Sequence, residues 1–251
     1  MSWLRTELHA MAAAVMFFTR VPVPAGWGGK PEDLQRAAAY FPLVGWFVGG
    51  VAALTWWLAA QLWPPLVASG LSLAATLLLT GAFHEDGFAD VCDGFGGGYT
   101  KERVLEIMRD SRVGAFGAIG VVMMLGLKWH SVAALPAALA PALLVAAHGL
   151  SRTVAVSLMA VLDYVREDAA KAKPLATQLG GARLLVVLAT GAATLALLPM
   201  RLWWVLVPLL VTQVLLALWF KRRIGGYTGD CLGAAQQVAE VVFYLTVLAL
   251  R

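Results

Sequence analysis

The sequence predicts an all-α fold: a polytopic integral membrane helical bundle of about seven spans, with six to eight compatible with the pattern. Three observations carry this. Of 251 residues, 60% are hydrophobic and only 14% are charged, with a mean hydropathy of +0.76. The apolar residues come in long uninterrupted runs rather than the half-apolar stripe of a surface helix. The basic residues gather between those runs, which is the pattern of a chain that crosses a bilayer repeatedly. The whole length, 1–251, reads as a single integral membrane domain with no internal repeat or second soluble unit.

The first element, "LHAMAAAVMFFTRVPVP", has an apolar core after Arg5 that could pass for a secretion signal. Glu7 and His9 interrupt its approach, no small-residue cleavage site follows, and the prolines of "RVPVP" stop the helix. An interfacial or re-entrant helix is expected. Spans of roughly 17 to 25 residues then follow at about 38–63, 65–83, 113–128, 183–200, 202–220 and 232–250. Residues 131–162 are long for one crossing and short for two. Reading them as one places fifteen of the nineteen Lys and Arg residues on a single face, leaving Lys128, Arg201 and Arg251 opposite and Arg152 inside. Two crossings would break that bias, so one is favoured and the basic face is expected to be cytoplasmic, in a prokaryotic inner membrane. Cys92 and Cys231 fit no metal or redox spacing and are expected to be free and structural.

Between the second and third spans lies "FHEDGFADVCDGFGGG", residues 83–98. If it is helical, Asp86, Asp90 and Asp93 fall within an arc of about 60°. Gly87, Ala89 and Gly94 flank them without bulk, while Phe88, Val91, Cys92 and Phe95 form an apolar side. Carboxylates about 6 Å apart repel by roughly 3 kcal/mol at an effective dielectric near 20. A cation, a proton or an arginine must offset that. Magnesium is commonly held by one or two carboxylates together with phosphate and water. His84 and Glu85 point elsewhere on the wheel and rank lower as direct ligands. A solvated interfacial loop is the bland alternative, and the shared face and small flanks weigh against it.

Next comes "TKERVLEIMRDSRVGAFG", with Thr100 as N-cap and Val104, Leu105, Ile107 and Met108 able to lay a short helix on the membrane. Local ion pairing explains Lys101 to Glu106. It explains Arg109, Asp110, Ser111 and Arg112 less well, since they stand at the mouth of the next span, where cations can take a phosphate. Arg152, deep in an apolar segment, costs at least about 2.5 kcal/mol to insert. It either pairs with Glu240 or lines a substrate cavity. In "KRRIGGYTGDCLGAAQQ", a helix start at Thr228 to Asp230 could receive a phosphate, Asp230 could simply cap the helix, and Lys221 to Arg223 could simply anchor in headgroups.

Together these motifs resemble the cobalamin synthases, also called adenosylcobinamide-GDP ribazoletransferases. The family's Glu-Asp-Gly-x-x-Asp-x-x-Asp-Gly reads here as Glu85, Asp86, Gly87, Asp90, Asp93 and Gly94. "FFTRVPVP", "YFPLVGWFVGG", "RVLEIMRDSRVGAFG", Ser151-Arg152 and "GGYTGDCLGA" continue it in order over nearly the whole chain. The "VC" after Asp90 departs from the smaller "TA" often seen, on the side away from the acids. The resemblance implies the last nucleotide-loop step of cobalamin synthesis. A hydroxyl of α-ribazole or its 5′-phosphate attacks the phosphate carried by adenosylcobinamide, and GMP leaves.

It further implies Mg²⁺, with Mn²⁺ as the alternative, held by Asp86, Asp90 and Asp93 with Glu85 as ligand or support. One of the three Asp residues would accept the hydroxyl proton. Arg109, Ser111, Arg112 and Arg152 would meet phosphate, and Thr228 and Asp230 would make a further substrate contact. The expected partners are these substrates and membrane lipid, with no nucleic acid, and a homo-oligomer is compatible. Two other readings compete. CDP-alcohol phosphotransferases carry Ala-Arg where this chain has Asp90-Val91. A transporter would use Arg152 and Glu240 along a path, yet transporters place their sites near the midplane between repeats, whereas these acids cluster at one face.

Overall fold

Small residues and helix breakers set the architecture. The computed structural model describes residues 3–166 and 179–250; Lys171, Lys173 and Arg251 of the charge pattern lie outside them. Helix α1, Trp3–Phe18, ends just before the prolines of "RVPVP", with the Thr19 hydroxyl donating to the Val15 carbonyl at 2.8 Å. After α2, Pro31–Ala37, the chain enters α3, Phe41–Ala59. Gly49 lets α3 meet α8, Ala140–Ser157, so closely that a Cβ there would lie 2.7 Å from the Val145 Cα. One turn earlier, a Cβ on Gly45 would overlap the His148 carbonyl. Close approach through small residues is how helices associate in lipid, where the hydrophobic effect does not drive them together.

Helix α4, Pro65–Thr80, stops at two residues in the left-handed region, Gly81 at φ 66° and Ala82 at φ 57°. The chain turns by 89° into α5, Phe83–Gly97. The acidic segment is therefore a helix in its own right, set across the span before it. Helix α6, Lys101–Ile107, starts at Thr100, whose hydroxyl accepts the Arg103 N–H at 3.3 Å. The expectation that α6 lies on the membrane is corrected. Val104 and Met108 are buried against the glycines at the end of α5; a Cβ on Gly98 would stand 2.6 Å from the Val104 Cγ2.

Helix α7, Ala115–Ala133, outlasts its expected end by five residues, and a short turn then leads to α8. Residues 131–162 thus hold the end of α7 and one crossing, as the charge bias requires. Helix α9, Gly181–Ala193, continues as a short 3₁₀ turn, Thr194–Leu197. A second 3₁₀ stretch, Met200–Val205, feeds α10, Leu206–Ile224, which ends on Gly225 at φ 84°. The last helix, α11, is Gly229–Ala249.

Five helical segments among the described residues are long and apolar enough to cross a membrane, and the bent α4–α5 pair, a broken span or a re-entrant loop, brings the count to six when taken as one span. The span expected at 183–200 is a shorter apolar helix, Gly181–Leu197. Large apolar side chains such as Leu78, Ile119, Val122, Leu210, Leu215 and Leu218 face outward, as a lipid-facing surface requires.

Helix α11 is central, packing on α5, α7, α8 and α10. Its Cys231, Ala234 and Ala235 join one apolar core with Phe18, Phe41, Met159 and Phe220. Its Ala239, Phe243, Tyr244 and Val247 join a second with Trp56, Leu143 and Leu202. At the changeover lie Gln236, Gln237 and Glu240, all buried, and they organise a polar network. Lys128 of α7 donates to Gln237 Oε1 at 2.6 Å and sits 3.3 Å from Glu240 and 3.9 Å from Glu85. Gln236 donates to Glu240 at 2.7 Å and to the Ser151 hydroxyl at 3.0 Å.

This overturns the placement of Lys128 on the opposite face, since it is only 3% exposed. The bilayer interior tolerates such a residue when its charge is matched by buried carboxylates. Glu240 likewise draws its closest cation from Lys128 rather than Arg152. The Arg152 Nη1 instead donates to the His148 carbonyl at 3.1 Å.

Candidate active site

The acids take the helical stripe that their spacing predicts, but their surroundings divide them. Asp86 is exposed and Asp90 and Asp93 are half-buried. Asp93 accepts the backbone N–H groups of Gly114 at 2.7 Å and Gly117 at 2.8 Å, one on each oxygen. It thereby caps α7 from another helix, placing negative charge where four N–H groups lack partners. Gly114 and Gly117 are glycines for a steric reason: a Cβ on Gly114 would lie 2.5 Å from the Asp93 Oδ1, and one on Gly117 would overlap the same carboxylate. The carboxylates of Asp86 and Asp90 have no hydrogen-bond partner among the described residues.

What stands beside those two is decided by the α5–α11 crossing. Gly87 faces the α11 backbone, where a Cβ would come within 3.0 Å of the Asp230 Cα. Asp230 thus joins the cluster, within electrostatic reach of Asp90 along with Asp86, Asp93 and Arg166. Arg166 donates to Asp230 Oδ2 at 2.6 Å and to the Met108 carbonyl at 3.0 Å. It is carried there by a short parallel pairing in which Tyr227 N–H donates to the Asp163 carbonyl at 2.9 Å and Val165 N–H to the Tyr227 carbonyl at 3.0 Å. Gly226 permits the pairing, because a Cβ would overlap the Asp163 carbonyl. Burial pushes the Tyr227 hydroxyl up to about 12, with Tyr164 and Asp163 adding to the shift. Burial also raises Tyr164, so both remain neutral donors at ordinary pH.

Thr228 is the N-cap of α11 and is fully buried; its hydroxyl accepts the Cys231 N–H at 3.3 Å. Glu85 turns away from the stripe into the polar network, accepting from Gln237 at 2.8 Å while its second oxygen is buried without a partner. On the other flank, Asp93, Arg103, Glu106, Asp110, Arg112 and Gly114 line an open depression of about 570 Å³. Arg109 and Ser111 are exposed beside it. Arg112 grips Asp110 through Nε at 3.0 Å and Nη2 at 2.6 Å, which holds the Asp110 carboxyl down at about 2. Arg152 stands apart from the acids, 2% exposed, in the wall of an aromatic cavity.

The donor set suits a hard cation that takes one or two carboxylates and completes its shell from phosphate and water. Asp86 and Asp90 are the carboxylates that could supply those two oxygen donors. Asp93 can contribute only from lone pairs not already occupied by the α7 cap. No three His, Cys, Asp or Glu side chains among the described residues cage a cation by themselves.

The cobalamin-5-phosphate synthase family model matches residues 10–248. The chain belongs to this family. Curated relatives named adenosylcobinamide-GDP ribazoletransferase agree over essentially full length. The protein of Ralstonia nicotianae is 50% identical over 99% of this chain and 98% of its own, that of Ralstonia pickettii 49% over the same shares, and that of Shewanella amazonensis 46% over 100% and 98%. No solved structure matches the chain.

In this member of the cobalamin-5-phosphate synthase family, two arginines at the site were not singled out from the sequence. Arg166 is one of the fifteen basic residues that the charge pattern places on a single face, with nothing else to mark it. Arg223 read as a headgroup anchor, yet it donates to the Phe95 carbonyl at 2.8 Å and the Gly98 carbonyl at 2.6 Å, closing the C-terminus of α5. The nearest sequence signal for Arg223 is its place one residue before the "IGGYTGD" motif. Arg166 carries none, since its partner is 64 residues away.

Proposed function

We propose that this chain catalyses the joining of adenosylcobinamide-GDP to α-ribazole or its 5′-phosphate, with release of GMP, as the last nucleotide-loop step of cobalamin synthesis. One observation carries the reading: Asp86 and Asp90, whose carboxylates have no hydrogen-bond partner among the described residues, lie on the helix that Gly87 brings against the Asp230–Arg166 pair, with Asp230 and Arg166 in electrostatic reach of Asp90. The names of the full-length relatives support it. Asp86 and Asp90 would hold Mg²⁺ or Mn²⁺, which when bound neutralises charge on the phosphoanhydride.

In the transfer, a ribazole hydroxyl oxygen forms a bond to the phosphorus carried by adenosylcobinamide, the bond from that phosphorus to the GMP oxygen breaks, and the hydroxyl proton departs. Asp90 is the proposed acceptor of that proton, at a carboxylate oxygen. Arg166 holds Asp230 in place beside it. Arg103 and Arg112 line the open depression, with Arg109 and Ser111 next to it in the chain, where a phosphate can be met. Positioning and charge neutralisation supply most of what phosphoryl transfer needs. The charge bias supports a site on the cytoplasmic face of the membrane.

The test is GMP release by detergent-purified protein given adenosylcobinamide-GDP, α-ribazole phosphate and Mg²⁺, beside a folded Asp90→Asn variant. Release by wild type and its loss in the variant are expected. No release from folded wild type would overturn the reading, and undiminished release by Asp90→Asn would remove Asp90 from the chemistry.

A further inference from the structure

Asp230, Gly233 and Gln237 are spaced by three and four residues and so lie along one face of α11. All three meet α5. Gly87 comes against the Asp230 Cα, and a Cβ on Gly233 would stand 3.2 Å from the His84 carbonyl oxygen. One turn further along α11, Gln237 donates to Glu85 Oε1 at 2.8 Å. The glycines set how closely the two helices approach, but a contact without side chains does not fix the rotation of α5 about its own axis. The 89° break after α4 carries no continuous helix into α5 to fix it either. The directional contact at this end of α5 is the Glu85–Gln237 bond, as the Asp93 cap is at the other.

That bond forms in one orientation only. Lys128 Nζ donates to Gln237 Oε1 at 2.6 Å, and an ammonium group accepts nothing, so the amide oxygen must face it. The amide nitrogen is thereby turned to Glu85, and it also donates to Gln236 Oε1 at 2.7 Å. Gln237 and Lys128 are both buried, so water does not compete. Stability does not account for the arrangement. Glu85 Oε2 is buried with no partner, which costs free energy, and buried ionic groups are often replaceable by apolar ones without loss. What the network supplies is direction.

We propose that Gln237 is a positioning residue for the transfer: through Glu85 it fixes the rotation of α5, and so the direction in which Asp86 and Asp90 present their carboxylates. This role rests on the transfer reading above, in which those two acids hold a divalent cation. Glu85, Asp86 and Asp90 turn together as parts of one helix. With side chains reaching about 5–6 Å from a helix axis, a rotation of about 20° moves a carboxylate by roughly 2 Å. A displacement of about 1 Å at a reacting centre costs on the order of a hundredfold in rate.

The probe is Mn²⁺ alone, titrated into detergent-purified full-length protein and followed by the electron paramagnetic resonance of the free ion, beside the kinetics of GMP release. Gln237→Met keeps the length of the side chain and removes its hydrogen bonds. It should weaken Mn²⁺ binding at least about tenfold and lower kcat about a hundredfold. Tyr244→Phe is the control for general loosening, since it removes a hydrogen bond of the same network, to Glu240 at 3.3 Å, without touching the link to Glu85. Its Mn²⁺ affinity and kcat should match wild type. If Gln237→Met does not fold, Glu85 carries the test. Glu85→Gln keeps an acceptor oxygen within reach of Gln237, while Glu85→Asp keeps the charge and withdraws it by one methylene. Positioning ranks the Mn²⁺ affinity of Glu85→Gln above that of Glu85→Asp; the reverse order would make Glu85 a ligand and overturn the proposal.

Failure of wild type to bind Mn²⁺, equal affinity in folded Gln237→Met, or equal weakening in Tyr244→Phe would each overturn it as well. Mn²⁺ binding weakened by Gln237→Met but not by Tyr244→Phe, in a protein that releases no GMP, would sustain the positioning and refute the transfer. GMP release by wild type, with kcat and Mn²⁺ affinity unaltered in Gln237→Met, would sustain the transfer and refute the positioning.

Discussion

Replacing Asp93 with Ala and Asp90 with Asn should separate two carboxylates that the sequence presents as equivalent. Asp93→Ala deletes acceptors for Gly114 N–H at 2.7 Å and Gly117 N–H at 2.8 Å. Loss of an N-cap costs about 0.5–2 kcal/mol. A partly buried charge at a helix terminus contributes up to about 2 kcal/mol. The two effects overlap, so a destabilisation of about 2–3 kcal/mol is expected, or about 5–10 °C in melting temperature for a chain of this size.

Asp90→Asn deletes no hydrogen bond among the described residues and relieves repulsion from Asp86, Asp93 and Asp230. Its stability should be unchanged or up to about 1 kcal/mol higher. Thermal melts in detergent, read beside GMP release, decide the matter: both variants should lose activity, and only Asp93→Ala should lose stability. Gly117→Ala, whose methyl would collide with the Asp93 carboxylate, should reproduce about half of that loss with the acid still present. Equal melting temperatures for Asp93→Ala and Asp90→Asn would refute the cap.

Lys128→Met should cost about 3–5 kcal/mol by leaving buried carboxylates unmatched, and adding Glu240→Gln should restore more than about 1 kcal/mol of it; additive losses in a double-mutant cycle would contradict the pairing. Arg223→Ala removes two hydrogen bonds to the end of α5 and a guanidinium 5.2 Å from the Phe95 ring. It should cost about 1–2 kcal/mol and speed proteolysis between residues 97 and 100, which an unchanged cleavage rate would exclude.

Because burial raises Tyr227 to about 12 from an ordinary value of 10, folding favours its neutral form. Its contribution is complete below pH 10 and is lost as pH rises from there through 12. Melting curves of wild type minus Tyr227→Phe should therefore be flat to about pH 10 and fall above it.

Much of the site is local and so was readable. The 4 and 3 spacing of Asp86, Asp90 and Asp93 fixes one face of any α-helix, and α5 is a helix because its own backbone satisfies it. Thr100 caps the helix it precedes for the same reason, whereas α11 is capped by Thr228 and not by the Asp230 that the sequence suggested, which pairs with Arg166 instead. The prolines after Arg20 end α1 wherever it lies. The single crossing within 131–162 follows from counting charges, which depends on order along the chain alone.

Tertiary structure decided which carboxylate does what. Asp93 caps a helix 21 residues away, Arg166 reaches Asp230 across 64, and Lys128 meets Gln237 across 109, distances over which periodicity carries no information. The 89° turn at Gly81 and Ala82 aimed α5 across its neighbour. The close contact at Gly87 then set Asp230 among the acids. The sequence by itself determined a membrane-embedded helical chain and which residues share each helix face, because these are properties of apolar runs and helical period. Only the packed structure divided those residues among a cap, a buried ionic network and an open pair of acids, because that division depends on which backbones approach closely enough to touch.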